Sequence, residues 1–190
     1  MNLSFIVTLL LKKYFKVING GVINYGQSVK IDLNTSIIVK KRNYLFIEDG
    51  VYLRSKSKGY HAGMPFYTGI LIDGHESTIR IGENSRLNGV YVHAKKPISI
   101  GKNCVIASGV NIIDSNGHIV SSLNRTIGRD EPIPIVISDN VWIGLNSVIL
   151  KGTIIGENSV VGANSVVKGS FPSYSLIQGN PAISKGFIIT

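Results

Sequence analysis

The most regular feature of the chain is an aliphatic residue that returns every six positions. Ile81-Gly-Glu-Asn-Ser-Arg, Ile100-Gly-Lys-Asn-Cys-Val, Ile106-Ala-Ser-Gly-Val-Asn and Ile137-Ser-Asp-Asn-Val-Trp share one pattern, and four more units, opening on Ile143, Ile149, Ile155 and Val161, run without a break to Val166. The fourth place is Asn or Gly every time: Asn84, Asn103, Gly109, Asn140, Asn146, Gly152, Asn158 and Asn164. These two residue types enter the left-handed backbone region most cheaply. The fifth place is small or β-branched, as Ser85, Cys104, Val110, Val141, Ser147, Thr153, Ser159 and Ser165. A period of six matches neither a helix nor a hairpin meander. It predicts an all-β solenoid in which each unit forms one short flat strand and one corner, and three units close a triangular coil. First-place aliphatics then stack up the axis, with the fifth-place residues filling the space beside them.

The phase slips twice. Ile81 to Ile100 is one residue longer than a multiple of six, and so is Ile112 to Ile137. The first slip, Gly89 to Pro97, predicts a bulged coil. The second, 113–136, holds Asp114, His118, Arg125, Arg129, Pro132 and Pro134 in place of the repeat, and predicts a loop extruded from the wall. Loops thrown out from a rigid array are where function tends to sit. Upstream, 20–75 carries strand-like patches at Ser36 to Val39, Tyr44 to Ile47 and Ile70 to Ile72, and predicts imperfect coils. Residues 76–172 form the regular array, and Gln178-Gly-Asn-Pro-Ala is a turn within a tail over 173–190.

Residues 1–19 are different. Leu3, Phe5, Ile6, Val7 and Leu9 to Leu11 form an apolar run that stops at Lys12 and Lys13, too short for the roughly 20 residues that span a bilayer. Met1-Asn2 before the run and Lys-Lys-Tyr-Phe-Lys after it do not fit a secretory leader. A short amphipathic helix is expected. It either lies on the inner membrane face, with Lys12, Lys13 and Lys16 at the headgroups, or packs on the body or a neighbouring subunit. A formal charge of +9 favours phosphates, acidic glycans, anionic membrane or nucleic acid as partners. No aromatic-basic module supports nucleic acid, which is not expected. The single cysteine, Cys104, excludes an internal disulfide framework and thiolate-rich zinc sites, so a cytoplasmic protein is expected.

From Ile79 to Ala182 the sequence resembles the hexapeptide-repeat acyltransferases, in particular the branch holding galactoside, maltose and capsular or lipopolysaccharide O-acetyltransferases. Ile113-Asp-Ser-Asn-Gly-His118, Asn140-Val-Trp-Ile-Gly144, the double unit from Ile155 to Val167, and Gly179-Asn-Pro-Ala182 carry the likeness. The resemblance implies a left-handed parallel β-helix, acetyl-CoA as acyl donor, a sugar acceptor, and a C3 homotrimer with its sites between subunits.

Acetyl transfer from a thioester asks for a base at the acceptor hydroxyl, a donor for the thioester oxygen, and fixed alignment. Imidazole, with an ordinary pKa of about 6.5, suits the first task. The resemblance assigns it to His118. Asp114 either holds that ring through its other nitrogen or caps a turn. The resemblance also implies the backbone N–H of Leu145 as oxyanion donor, with Gly144 allowing close approach. Trp142 and Ala163 would line the pantetheine channel, Lys168 and Lys185 would meet the nucleotide phosphates, and Asn88 would hydrogen-bond the acceptor sugar. Two departures stand out: Lys168 is followed by Gly169, and Ile183 and Ser184 separate Pro181-Ala182 from Lys185. His93 falls at a first-place position of the slipped coil and is either a second wall residue of the site or a plain coil member; with His61 and His75 it lacks the close pairing on one coil that a zinc site on this solenoid would need, so no metal is expected. The expected activity is acetyl-CoA-dependent O-acetylation of a sugar hydroxyl in a surface-polysaccharide precursor. The alternatives are N-acylation of an amino sugar and a non-catalytic binding solenoid.

Overall fold

The computed structural model describes residues 3–188 as a triangular parallel β-helix capped by one helix, Leu3–Ile18. The first face stacks Val22–Tyr25, Tyr44–Ile47, Thr78–Ile81, Ile98–Ile100, Ile135–Ile137, Ile154–Ile155 and Ser170–Phe171. The second stacks Lys30–Ile31, Tyr52–Arg54, Arg86–Asn88, Val105–Ile106, Trp142–Ile143, Val160–Val161 and Ser175–Gly179. The third stacks Ser36–Val39, Gly69–Ile72, Tyr91–Ala94, Asn111–Ile113, Val148–Leu150 and Val166–Val167.

First-place aliphatics form three vertical ladders inside the prism. Ile81, Ile100, Ile137 and Ile155 stand in register on the first face, Ile106, Ile143 and Val161 on the second, and Ile112, Ile149 and Val167 on the third. All are buried. The eight fourth-place residues turn the corners with φ between 55° and 79°, the left-handed conformation that the pattern requires.

The fifth place does more than fill space. Ser85 Oγ donates to Gly101 O (2.7 Å) and accepts from Cys104 N (2.9 Å). Ser147 Oγ donates to Gly162 O (3.0 Å), and Ser159 Oγ donates to Pro172 O (3.2 Å) while accepting from Ser175 N (3.0 Å). Buried hydroxyls thus tie successive coils together at corners whose backbone groups the sheets leave unpaired.

Most insertions fall at one edge; a further one, between Arg54 and Gly69, lies between the second and third faces. Between the third and first faces the chain takes more than six residues to pass from Ile37 to Ile47, Ile70 to Ile81, Val92 to Ile100 and Ile112 to Ile137. The largest insertion runs between the strands that end at Ile113 and begin at Ile135. Such an edge carries excess backbone and side chains beyond the wall of the prism, and the polar cluster below stands on it.

The ends are closed. Phe15 is buried under the first coil, and Thr8 Oγ1 both donates to Ile31 O (3.3 Å) and accepts from Ile31 N (3.2 Å). The outer side of this helix leaves Phe5, Leu9, Leu10, Tyr14 and Val17 exposed beside Lys13 and Lys16. Among the described residues no helix is long and apolar enough to cross a membrane. At the other end, where the sequence suggests only a tail, Ala182–Phe187 folds back antiparallel on Ser175–Gly179 and covers the last open edge of the second face.

Candidate active site

His118 stands exposed on the extruded loop, over the edge between third and first faces. It lines a cleft of about 280 Å³ with Asp73, His93, Lys95, Asn116 and Arg129. The loop is pinned from several sides. Ile133 N donates to Asp114 O (2.9 Å), Asn116 N to Asp130 Oδ2 (3.1 Å), and Asp130 in turn pairs with Lys151. Arg129 Nη1 donates to Gly117 O (3.1 Å), next to His118.

The carboxylate that orients a histidine in this cleft is Asp73, and the histidine is His93. His93 Nε2 lies 2.7 Å from Asp73 Oδ1, and Lys95 Nζ lies 3.2 Å from the same oxygen. Lys40 Nζ is 3.8 Å from Asp73 Oδ2. Burial alone pushes the Asp73 carboxyl up, but the hydrogen bonds from His93 and Lys95 outweigh it and hold the group below its ordinary range. The sequence leaves His93 open as a wall residue but does not show its pairing with Asp73, because the two belong to different coils. Register brings them together: Leu71 pairs with His93 and Ile72 with Ala94, so Asp73 leaves its strand beside Lys95.

Asp114 is placed elsewhere than beside the His118 ring. It is fully buried, and its Oδ2 accepts from Lys95 N (2.7 Å) and Lys96 N (2.5 Å), capping the turn of the coil below. Its Oδ1 is buried without a hydrogen-bond partner among the described residues. Burial pushes this carboxyl up, against the pull of the Lys96 and Lys95 N–H groups. Of the two roles open to Asp114 from the sequence, these contacts are those of the turn cap. Both backbone donors sit on Oδ2, and the carboxyl is buried inside the wall whereas His118 is exposed on the loop.

Asn88 is also tucked inward, 5% exposed, and its Nδ2 donates to Ile106 O (2.9 Å). It does not line the cleft with His118.

The other residues singled out from the sequence lie apart from His118. Trp142 projects from the second face, 54% exposed, stacked in register between Val105 and Val160. Gly144 and Leu145 follow at the edge between second and third faces, with Ala163 one coil further on. Leu145 O accepts from Asn164 N (2.8 Å), and Leu145 N–H has no acceptor among the described residues. Gly144 has a structural reason of its own: a Cβ there would stand 2.6 Å from Ala163 N, so coil stacking excludes a side chain. Lys168 is exposed on the same edge as the His118 loop, two coils beyond it, a rise of roughly 10 Å. Lys185 is exposed on the final strand.

A family profile described as bacterial transferase hexapeptide (six repeats) matches residues 134–169, and one for the hexapeptide repeat of succinyl-transferase matches 78–113. A protein of Escherichia coli (strain K12), provisionally named a lipopolysaccharide biosynthesis O-acetyl transferase, is 35% identical over 155 residues, covering 74% of this chain and 78% of that protein. The chain belongs to the hexapeptide-repeat acyltransferases. A provisionally named acetyltransferase of Dictyostelium discoideum is 43% identical over 105 residues, 55% of each chain, so this chain spans about half the length of that relative. Among solved structures, a hexapeptide-repeat acetyltransferase of Vibrio cholerae complexed with acetyl coenzyme A superposes with a TM-score of 0.57 at 33% identity, covering 64% of this chain and 66% of that one. The triangular prism is the left-handed parallel β-helix of this family.

Proposed function

We propose that this hexapeptide-repeat acyltransferase moves an acetyl group from acetyl-CoA to a sugar hydroxyl of a surface-polysaccharide precursor, working as a homotrimer. The observation that carries the reading is that the residues assigned to acceptor and donor stand on different edges of the prism. His118 and its polar cleft stand on the edge between third and first faces, whereas Trp142, Gly144, Leu145 and Ala163 form a strip along the second face and its junction with the third. Two edges of one prism do not meet. A cyclic trimer with heterologous contacts lays one chain's edge against the next chain's face and brings the two half-sites together three times. The relatives support the chemistry: the Escherichia coli protein is named for lipopolysaccharide O-acetylation, and the Vibrio cholerae enzyme is complexed with acetyl coenzyme A.

In this arrangement the acceptor oxygen attacks the thioester carbonyl carbon while His118 takes the hydroxyl proton. The negative charge that develops on the carbonyl oxygen faces the N–H of Leu145, a donor already fixed by the corner. Collapse breaks the carbon–sulfur bond, and the imidazolium returns its proton to the departing sulfur. Trp142 and Ala163 line the approach of the pantetheine arm, and Lys168 and Lys185 offer charge to the phosphates. The exposed Phe5, Leu9, Leu10 and Tyr14, flanked by Lys13 and Lys16, are read as a peripheral contact with the inner membrane face; sedimentation with anionic vesicles tests it, and no binding rejects it.

Release of free thiol from acetyl-CoA, followed with and without sugar acceptors, tests the central reading. Acceptor-dependent release is expected, and His118→Ala should lower kcat by about a hundredfold or more with little change in CoA affinity. An equal loss of CoA binding would make His118 structural. Release only with amino acceptors would replace O- by N-acylation.

A further inference from the structure

We propose that the cleft beside His118 selects acceptors that carry an acidic group, a carboxylate or a phosphate, close to the hydroxyl that is acetylated. The inference rests on the reading of the protein as a sugar acetyltransferase and adds the chemical class of its acceptor.

Charge in and around the cleft is lopsided. Lys95 and Arg129 line it and Lys40 stands behind, while Asp73 is the one carboxylate among its described lining residues. Asp73 is already shared: Oδ1 takes His93 Nε2 at 2.7 Å and Lys95 Nζ at 3.2 Å, and Lys40 Nζ sits 3.8 Å from Oδ2. The neighbouring acids do not restore balance. Asp130 is paired with Lys151, and Asp114 lies buried beneath the floor on the N–H groups of Lys95 and Lys96. Arg129 is bonded only to carbonyls, Gly117 O at 3.1 Å and Gly128 O at 3.3 Å, which orient the guanidinium without neutralising it.

Three basic side chains, Lys95, Arg129 and Lys40, therefore answer to one carboxylate. A concave site with that excess concentrates anions. An Arg fork matches the paired oxygens of a carboxylate or phosphate, and a neutral sugar has nothing to place there. His93, fixed by Asp73, lines the same cleft as His118 and offers a wall against which the ring of such a sugar would rest.

The test uses the full chain in the presence of CoA or acetyl-CoA, with methyl glucuronide, glucose 1-phosphate and methyl glucoside as probes. Binding is read by saturation-transfer NMR and turnover by thiol release. The two acidic sugars should exceed the neutral one by about tenfold, with a preference that shrinks in about 0.5 M salt. Arg129→Gln should bring the ratio of acidic to neutral towards one, and Arg129→Lys, which keeps the charge, should retain most of it. A response to only one acid identifies the group as carboxylate or as phosphate. Equal behaviour of all three sugars overturns the charge selection and leaves acetyl transfer standing. Acid-selective binding without thiol release from any sugar does the reverse.

Discussion

Replacing Asp114 with Ala separates a structural carboxylate from a catalytic one. The side chain is fully buried and accepts from Lys95 N at 2.7 Å and Lys96 N at 2.5 Å. Alanine removes two part-buried hydrogen bonds to a charged acceptor, at about 1.5–3 kcal/mol each, partly offset because a buried carboxylate no longer has to be desolvated. A net loss of about 2–4 kcal/mol follows, which for a chain of this size lowers Tm by roughly 5–15 °C. Asp114→Asn keeps an acceptor oxygen and should recover most of that. The sign of the pH effect is also fixed. Burial raises the folded carboxyl above its unfolded value, so its contribution is full below the unfolded pKa and declines as pH rises through the folded one. Wild type should therefore compare best with Asp114→Asn in acid and less well at neutral pH. Thermal melts across pH, with kcat measured on the same samples, read both. The reasoning fails if Asp114→Ala melts like wild type while kcat drops as far as in His118→Ala, because the carboxylate would then be acting on the imidazole.

At the Asn146 corner, where φ is 56°, Asn146→Ala should cost about 1–2 kcal/mol and Asn146→Gly much less, as read by chemical denaturation. Equal losses would remove backbone conformation as the reason for Asn at the fourth place. Asp73 has the opposite pH signature to Asp114: burial pushes it up, but His93 and Lys95 hold the net value below the unfolded one. Its stabilisation is present above the unfolded carboxyl pKa, about 4, and drains away as pH falls through the folded value. Asp73→Asn should lack that acid limb, and an unchanged limb would show that the contacts to His93 and Lys95 contribute nothing.

How much was legible in the sequence varied along the chain for physical reasons. Corners that need a left-handed backbone admit few residue types, so Asn84 to Asn164 announce themselves. Upstream the same conformation is taken by Arg42 (φ 65°) and Glu76 (φ 55°), residues that carry no such signal, and the N-terminal coils are correspondingly hard to phase. The fifth-place serines read as small when their hydroxyls are what the coil uses. Asp114 was open to two readings because a short carboxylate at a loop start serves a ring or a turn equally well; only its two backbone donors decide. The Asp73 and His93 pair is invisible to a six-residue template, since it forms at the edge where the insertions break the count. Aligning whole coils by strand register would have placed them side by side.

Mixing two inactive variants tests the composite site most directly. His118→Ala and Trp142→Ala chains, each expected to be nearly inactive alone, are co-refolded in equal amounts and assayed for thiol release with acetyl-CoA and acceptor. If the imidazole comes from one subunit and the Trp142 strip from the next, about a quarter of the interfaces pair two intact halves, and activity returns to about that fraction of wild type. No recovery from trimers shown to be mixed would mean that a single chain supplies both halves, and the account of a site built between prisms would be wrong.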